Sequence, residues 1–252
     1  MYAIVNCCDN YHLFAYHTLL TYEKLWPDNP FIFRIPWNKT KPEYIQEHFG
    51  SKVELIKTKK SFKETIFTLV KDLDENSWIY WCSSDTYVDK IEKEKANVSH
   101  QYIKTLHDPG IYGLSTCKTV YKLKKDKKPT SFQDIIIYER INEAYHKTTQ
   151  VWTHQYYRVK VLKLIFDSFE EPKKNVKELD IQLMAENNPL YAKLAKGTFL
   201  AVGHHYGLLR LGENTARGKI TLNCLNNFKK YNLKKPDNFE IRDVNLFYGR
   251  IL

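Results

Sequence analysis

A chain of 252 residues and 30.0 kDa, 43% hydrophobic and 27% charged, can bury a sizeable core and is too apolar to remain disordered. Its 39 Lys and Arg against 29 Asp and Glu leave a net charge of +10, a field that favours anionic partners without defining a site. Five cysteines, odd in number and without paired finger spacing, argue against a disulfide framework and against structural zinc.

No stretch approaches the ~18 apolar residues of a membrane span, and the opening apolar run is too short for a signal-peptide core. The expectation is a soluble, cytoplasmic protein. The densest basic run, residues 122–128 (KLKKDKK), lacks interleaved aromatics and reads as a solvated loop, so nucleic acid is a disfavoured partner.

In chain order, residues 2–5 (YAIV) form a buried strand that stops at Asn6, Cys7, Cys8 and Asp9. Leu13, Tyr16 and Leu20 mark a helix, and residues 31–35 (FIFRI) mark a second strand. Pro42 starts a short helix that Gly50 ends, and residues 53–56 give a third strand. Ser61 and Glu64 are spaced as a capping box opening a helix with Phe62, Ile66, Leu69, Val70 and Leu73 on one face. A fourth strand follows at residues 78–81. Alternating strands and helices predict a mostly parallel, helix-covered sheet.

Further on, a helix ends near Leu106, Asp108-Pro109-Gly110 makes a turn, and residues 111–114 resume a strand. Helices are predicted over 155–169 and 175–186, and residues 199–202 form the last predicted strand before GHHYG. Neither an internal repeat nor a separating linker is evident, so residues 1–252 read as a single domain with halves 1–90 and 91–252, the second closing in a C-terminal loop.

In open α/β sheets, ligands sit beyond the carboxyl ends of the strands. That places residues 6–10 and 82–85 on one crevice, with Asp85 as a hard oxygen ligand for a divalent cation neutralising a diphosphate. The segment 78–89 (WIYWCSSDTYVD), an apolar strand running into Ser83-Ser84-Asp85, resembles the Asp-x-Asp segment of GT-A glycosyltransferases with its first acid replaced by Ser83. The literal Asp72-Leu73-Asp74 is set aside, because it lies at a helix end before the strand.

The resemblance, which also takes in the opening YAIVNCCDNY and the GHHYG segment, covers the first ~90 residues well and the rest loosely, and the chain is similar to small GT-A domains of large algal DNA viruses. It implies a GT-A (Rossmann-like) mixed α/β fold, a mostly parallel central sheet flanked by helices, and a glycosyltransferase. That enzyme would move a hexose or deoxyhexose from a nucleotide diphosphate sugar, with UDP favoured, to a glycan hydroxyl, using Mn2+ or Mg2+ and inverting the anomeric centre. His204 or His205 would complete a metal site with Asp85. Glu178 and Asp180 match the acidic helix start that supplies a base to the acceptor hydroxyl.

Asp9, Arg34, Lys59 and Ser83 are placed by position to contact the donor, and Arg217 and Lys219, in a Gly-punctuated stretch with Arg210, to fold over its phosphates. Trp152, His154 and Tyr157 would form a stacking platform for the acceptor. Two other readings stay open. One is a sugar-nucleotide nucleotidyltransferase, disfavoured by the lack of glycine in CCDNYHLF; the other is a non-catalytic nucleotide- or glycan-binding module.

Overall fold

The structure, a computed structural model, describes residues 1–117, 126–140, 153–169, 189–203 and 207–248. The first half alternates as expected: β1 (Tyr2–Asn6), α1 (His12–Leu25), β2 (Ile32–Trp37), α2 (Glu43–Phe49), β3 (Val53–Lys57), α3 (Phe62–Leu69) and β4 (Trp78–Ser83). These four strands are parallel neighbours in the order β3-β2-β1-β4. Ser61 caps α3 by accepting the Glu64 amide at 3.2 Å, as its spacing predicts.

After β4 the chain turns sharply into β5 (Thr86–Ile91), which leaves the central sheet. Then come α4 (Lys93–Thr105), β6 (Ile111–Ser115), the edge hairpin β7 (Thr130–Phe132) and β8 (Ile135–Glu139), β9 (Gln155–Arg158), α5 (Val159–Asp167), α6 (Leu190–Leu194) and β10 (Thr198–Val202). They extend the sheet to nine strands, β3-β2-β1-β4-β9-β6-β10-β8-β7. Strand β9 runs antiparallel between β4 and β6, β10 is parallel to β6, and β8 and β7 each reverse direction. The expected mixed, mostly parallel sheet flanked by helices is what the chain forms.

Side chains alternate across this sheet with the period of two that strands impose. Tyr80 and Cys82 of β4 join Ala15, Leu19 and Tyr22 of α1 on one face. Ile79 and Trp81 join Ile66 and Leu69 of α3 and Val161, Leu162 and Ile165 of α5 on the other. Among the described residues no helix is long and apolar enough to cross a membrane.

Two sequence expectations need correction here. The helix predicted over 155–169 begins only at Val159, because Tyr156 and Tyr157 are buried on opposite faces of the sheet, a pattern only a strand satisfies. Val202 does not end the strand content either, since β11 (Leu209–Glu213), β12 (Thr215–Ala216), β13 (Lys219–Thr221), α7 (Leu222–Lys230), β14 (Ile241–Arg242) and β15 (Phe247–Tyr248) follow. Of these, β11 sits between β5 and β15 in a second sheet. Gly212 there is no loop hinge: a Cβ on it would lie 2.3 Å from the ring of its cross-strand partner Tyr87. A third core cluster, including Phe14, Tyr87, Ile220, Cys224 and Phe228, fastens the C-terminal segment to α1. The helix predicted over 175–186 lies outside the described residues.

Arg34, expected at the donor, is instead a structural ion. Its side chain is 4% exposed; Nη1 and Nη2 each donate to one Asp72 oxygen at 2.7 Å, Nε donates to Glu54 at 3.0 Å, and the guanidinium covers the Tyr2 ring at 3.7 Å. With Nη1 also donating to the Leu69 carbonyl at 2.8 Å, this fork holds the end of α3 against β2 and commits the buried guanidinium to protein partners. We predict that Arg34→Met lowers the stability measured by urea unfolding by roughly 1–3 kcal/mol; an unfolding midpoint equal to that of the wild type would contradict this structural role.

Candidate functional site

Strands β1, β2, β3, β4 and β6 all point the same way, so their following residues gather along one edge. The turn after β4 is tied to the end of β1, since the Ser84 amide donates to the Asn6 carbonyl at 3.0 Å. Ser83 and Ser84 are buried. A buried turn must find partners for its backbone, because water cannot supply them.

Four consecutive carbonyls, 83 to 86, draw partners from distant parts of the chain. Ser83 lies 3.3 Å from His154 Nε2 and accepts from the nearby Thr86 Oγ1 at 3.3 Å, Ser84 accepts from Asn214 Nδ2 at 2.8 Å, Asp85 from the Asn214 amide at 2.6 Å, and Thr86 from Thr18 Oγ1 at 2.6 Å. His154 is wholly buried, and burial drives its pKa down to about 4. The ring is therefore neutral. Its Nε2 lies 2.9 Å from Thr86 Oγ1 and 3.3 Å from the Ser83 carbonyl, and its Nδ1 lies 2.8 Å from the Tyr22 hydroxyl.

Asp85 emerges from this brace half-buried. Its Oδ1 accepts from Thr215 Oγ1 at 3.1 Å, and the Tyr11 hydroxyl meets the same threonine. No described residue hydrogen-bonds Oδ2. Burial raises the Asp85 pKa to about 6, with Glu213 adding to the rise and the Thr215 hydrogen bond opposing it. Cys7 and Cys8 lie within its electrostatic reach, but burial pushes both thiols up, so neither offers a thiolate. Ser83 contributes by turning inward, its Oγ accepting the Asp85 amide at 3.3 Å.

Other expected site residues are distributed unevenly. Asp9 sits at this edge, but its carboxylate accepts the amides of Asn38, Lys39 and Thr40 at 2.9, 2.7 and 3.1 Å. Burial would raise its pKa, yet those three amides outweigh burial and hold it below the usual range. Lys59 is exposed at the end of β3 and pairs with Glu64 at 2.8 Å. Arg217 is exposed with φ +53 in the two-residue turn it shares with Gly218 (φ +74), joining β12 to β13, the pattern of a type I′ hairpin. That turn leaves Arg217 two residues from Thr215. Lys219, on the next strand, pairs with Glu240.

His154 and Tyr157 are corrected from acceptor platform to core. Both are 0% exposed, Tyr157 because β9 is an interior strand covered on both faces and His154, just before it, because it is enclosed by Tyr22 and Thr86, so neither can stack on a sugar. Glu178, Asp180, Trp152, His204 and His205 lie outside the described residues. Among the described residues no three His, Cys, Asp or Glu side chains cluster as a metal cage. One open carboxylate oxygen still suits a hard cation that takes its remaining ligands from phosphates and water, the usual habit of Mg2+.

Sequence reasoning missed Asn214, Thr215 and His17. A signal was present for the last: His17, Thr18 and Thr21 interrupt the apolar face of α1 and are all 0% exposed, and buried polar side chains require partners. Nothing in the sequence could say that the partner stands at position 214.

No family model matches the chain, and no curated protein matches it. Among solved structures, 4-diphosphocytidyl-2C-methyl-D-erythritol synthase from Anaerococcus prevotii is 13% identical, covering 81% of this chain and 87% of that one with a TM-score of 0.41. The galactosyltransferase LgtC in complex with donor and acceptor sugar analogs is 8% identical over 79% of this chain and 71% of that one, TM-score 0.39. The glycosyltransferase GlyE from Streptococcus pneumoniae is 10% identical over 79% and 44%, TM-score 0.42.

A carboxylate whose folded pKa is raised contributes stability below its unfolded value, and that contribution is lost as pH rises through the folded value. For Asp85 the window runs from 3.8 to about 6. In EDTA, Asp85→Asn should therefore match the wild type near pH 4 and exceed it by roughly 1–3 kcal/mol above pH 6.5. Thermal unfolding across that range checks it; a variant less stable than wild type at pH 7 contradicts it.

Proposed function

We propose that the chain is a nucleotide-sugar-dependent glycosyltransferase acting through a divalent cation held at Asp85. The observation that supports this reading most strongly is the Asp85 carboxylate itself, kept half-buried at the carboxyl end of β4 with one oxygen unpartnered among the described residues. An arrangement that raises a carboxylate's pKa without an ion pair marks a functional group rather than a structural one. Mn2+ or Mg2+, bound there together with the donor diphosphate, supplies charge neutralisation to the departing nucleoside diphosphate. Ser83 acts by fixing the turn rather than by ligating the metal.

The remaining parts follow from the resemblance in the sequence. Glu178 or Asp180 takes the proton of the acceptor hydroxyl in an inverting transfer, His204 or His205 completes the cation site, Trp152 contributes to the acceptor side, and Arg217 reaches the phosphates from the turn beside Thr215. The donor carries a hexose or deoxyhexose on UDP, and the acceptor is a glycan hydroxyl.

A nucleotidyltransferase is the second reading. Triphosphate cradles are built from glycines and free backbone amides. Here the loop after β1 is Cys7-Cys8-Asp9-Asn10, its Tyr11 amide is occupied by the Cys8 carbonyl at 2.8 Å, and Asp9 brings a negative charge. These features favour glycosyl transfer.

Calorimetry with UDP should give binding that tightens at least ten-fold on adding Mn2+, and Asp85→Ala should remove that gain. A screen of nucleotide sugars should reveal slow hydrolysis of one donor, and NMR of the product anomer should show inversion. Binding that ignores Mn2+ in both proteins would sink the reading, and retention would remove the base role from Glu178 and Asp180.

A further inference from the structure

Asn214 is 0% exposed and forms the link between β11 and β12. Its amide group has only one orientation that fits. The Ser84 carbonyl accepts at 2.8 Å, so Nδ2 must point there, and Oδ1 then faces His17 Nδ1 at 2.7 Å and Cys224 Sγ at 3.2 Å. His17 must accordingly carry its proton on Nδ1. Burial holds this imidazole neutral, its pKa lowered to about 4, so Nε2 has no proton. The Asn227 side chain on α7 approaches Nε2 through its Oδ1 at 2.8 Å, and only turning that amide over would give the unprotonated Nε2 a donor.

Two successive donors point one way: His17 to Asn214, and Asn214 to the peptide that precedes Asp85. Hydrogen bonds aligned in this manner polarise one another. The same link grips the turn twice more, through the Asn214 amide on the Asp85 carbonyl and through Thr215 on Asp85 Oδ1. Left to itself, a desolvated carboxylate would rotate towards water. The grip on both its backbone and one of its oxygens prevents that rotation and leaves Oδ2 as the group presented to the crevice.

We infer that Asn214 is a positioning residue for Asp85, aimed by His17, and that the segment carrying it is thereby a working part of the cation site. The inference rests on the reading of Asp85 as the cation ligand. It makes α1 and the β11–β12 link act together on metal affinity although neither the His17 imidazole nor the Asn214 amide touches metal or substrate.

The test compares UDP affinity with Mn2+ and in EDTA for the wild type, Asn214→Ala, Asp85→Ala and a control, Phe228→Leu, which weakens the core cluster beside His17 without touching the turn. Asn214→Ala should weaken Mn2+-dependent affinity at least ten-fold while affinity in EDTA stays within two-fold and the circular dichroism remains native. Phe228→Leu should lower the melting temperature and leave both affinities unchanged. Should Asn214→Ala fail to fold, His17 decides. His17→Asn keeps a donor where Nδ1 stood and should retain affinity within three-fold, whereas His17→Leu should lose it as Asn214→Ala would.

Wild-type Mn2+-dependent affinity in Asn214→Ala or His17→Leu, with that of Asp85→Ala abolished, overturns the positioning role alone. An Asp85→Ala variant that binds as the wild type does removes the cation site, and this inference with it. Equal losses in Asn214→Ala and Phe228→Leu also overturn it, since general destabilisation would then suffice.

Discussion

The carbonyls of residues 83 to 86 stand in succession at a place water cannot satisfy, and much of the tertiary structure answers that requirement. Their partners are an imidazole just before β9 together with the neighbouring Thr86 hydroxyl, an amide side chain and a backbone N–H from the C-terminal segment, and a hydroxyl from α1. Leaving any one unmet would cost on the order of 1–3 kcal/mol. Because these partners come from α1, the residue before β9 and the β11–β12 link, the turn cannot take its shape until those pieces have converged on it. The site is thus assembled late in sequence terms although its acid lies in the first half.

Two aspartates at the same edge show what that assembly achieves. Asp9 meets three backbone amides and is held below its ordinary pKa, which makes it a brace for the loop after β2. Asp85 meets a single hydroxyl and is pushed up to about 6 by burial. The difference is one of local hydrogen bonding, since each follows a strand of the central sheet, Asp9 after β1 and Asp85 after β4. An acid that its surroundings satisfy is structural; one left short of partners has affinity to offer a cation.

The parallel first half was legible because each of its signals is local. Period-two and period-3.6 patterning, the Ser61 cap and the strand ending at Ser83-Ser84-Asp85 sufficed to place β1 to β4 and the acid beyond them. Strand β9 was not legible, since the aromatics Tyr156 and Tyr157 lead into a helix whose periodicity absorbs them, and only the two-sided burial of an interior strand separates the two. The same ambiguity placed His154 and Tyr157 at an acceptor surface. Arg34 misled for a different reason: its position on β2 was right, but its partner Asp72 is 38 residues away and no short-range pattern links them. The Asn214 brace spans 130 residues to Ser84, and its only sequence trace is the polar interruption of α1.

The most direct test of the account is to locate the cation. Crystals grown with UDP and Mn2+, measured at a wavelength where manganese scatters anomalously, should show a single strong peak in coordination contact with Asp85 Oδ2 and with the diphosphate, while Asn214 still holds the Ser84 carbonyl. A manganese peak and nucleotide bound away from the β4 end, with the Asp85 carboxylate uncoordinated, would contradict it.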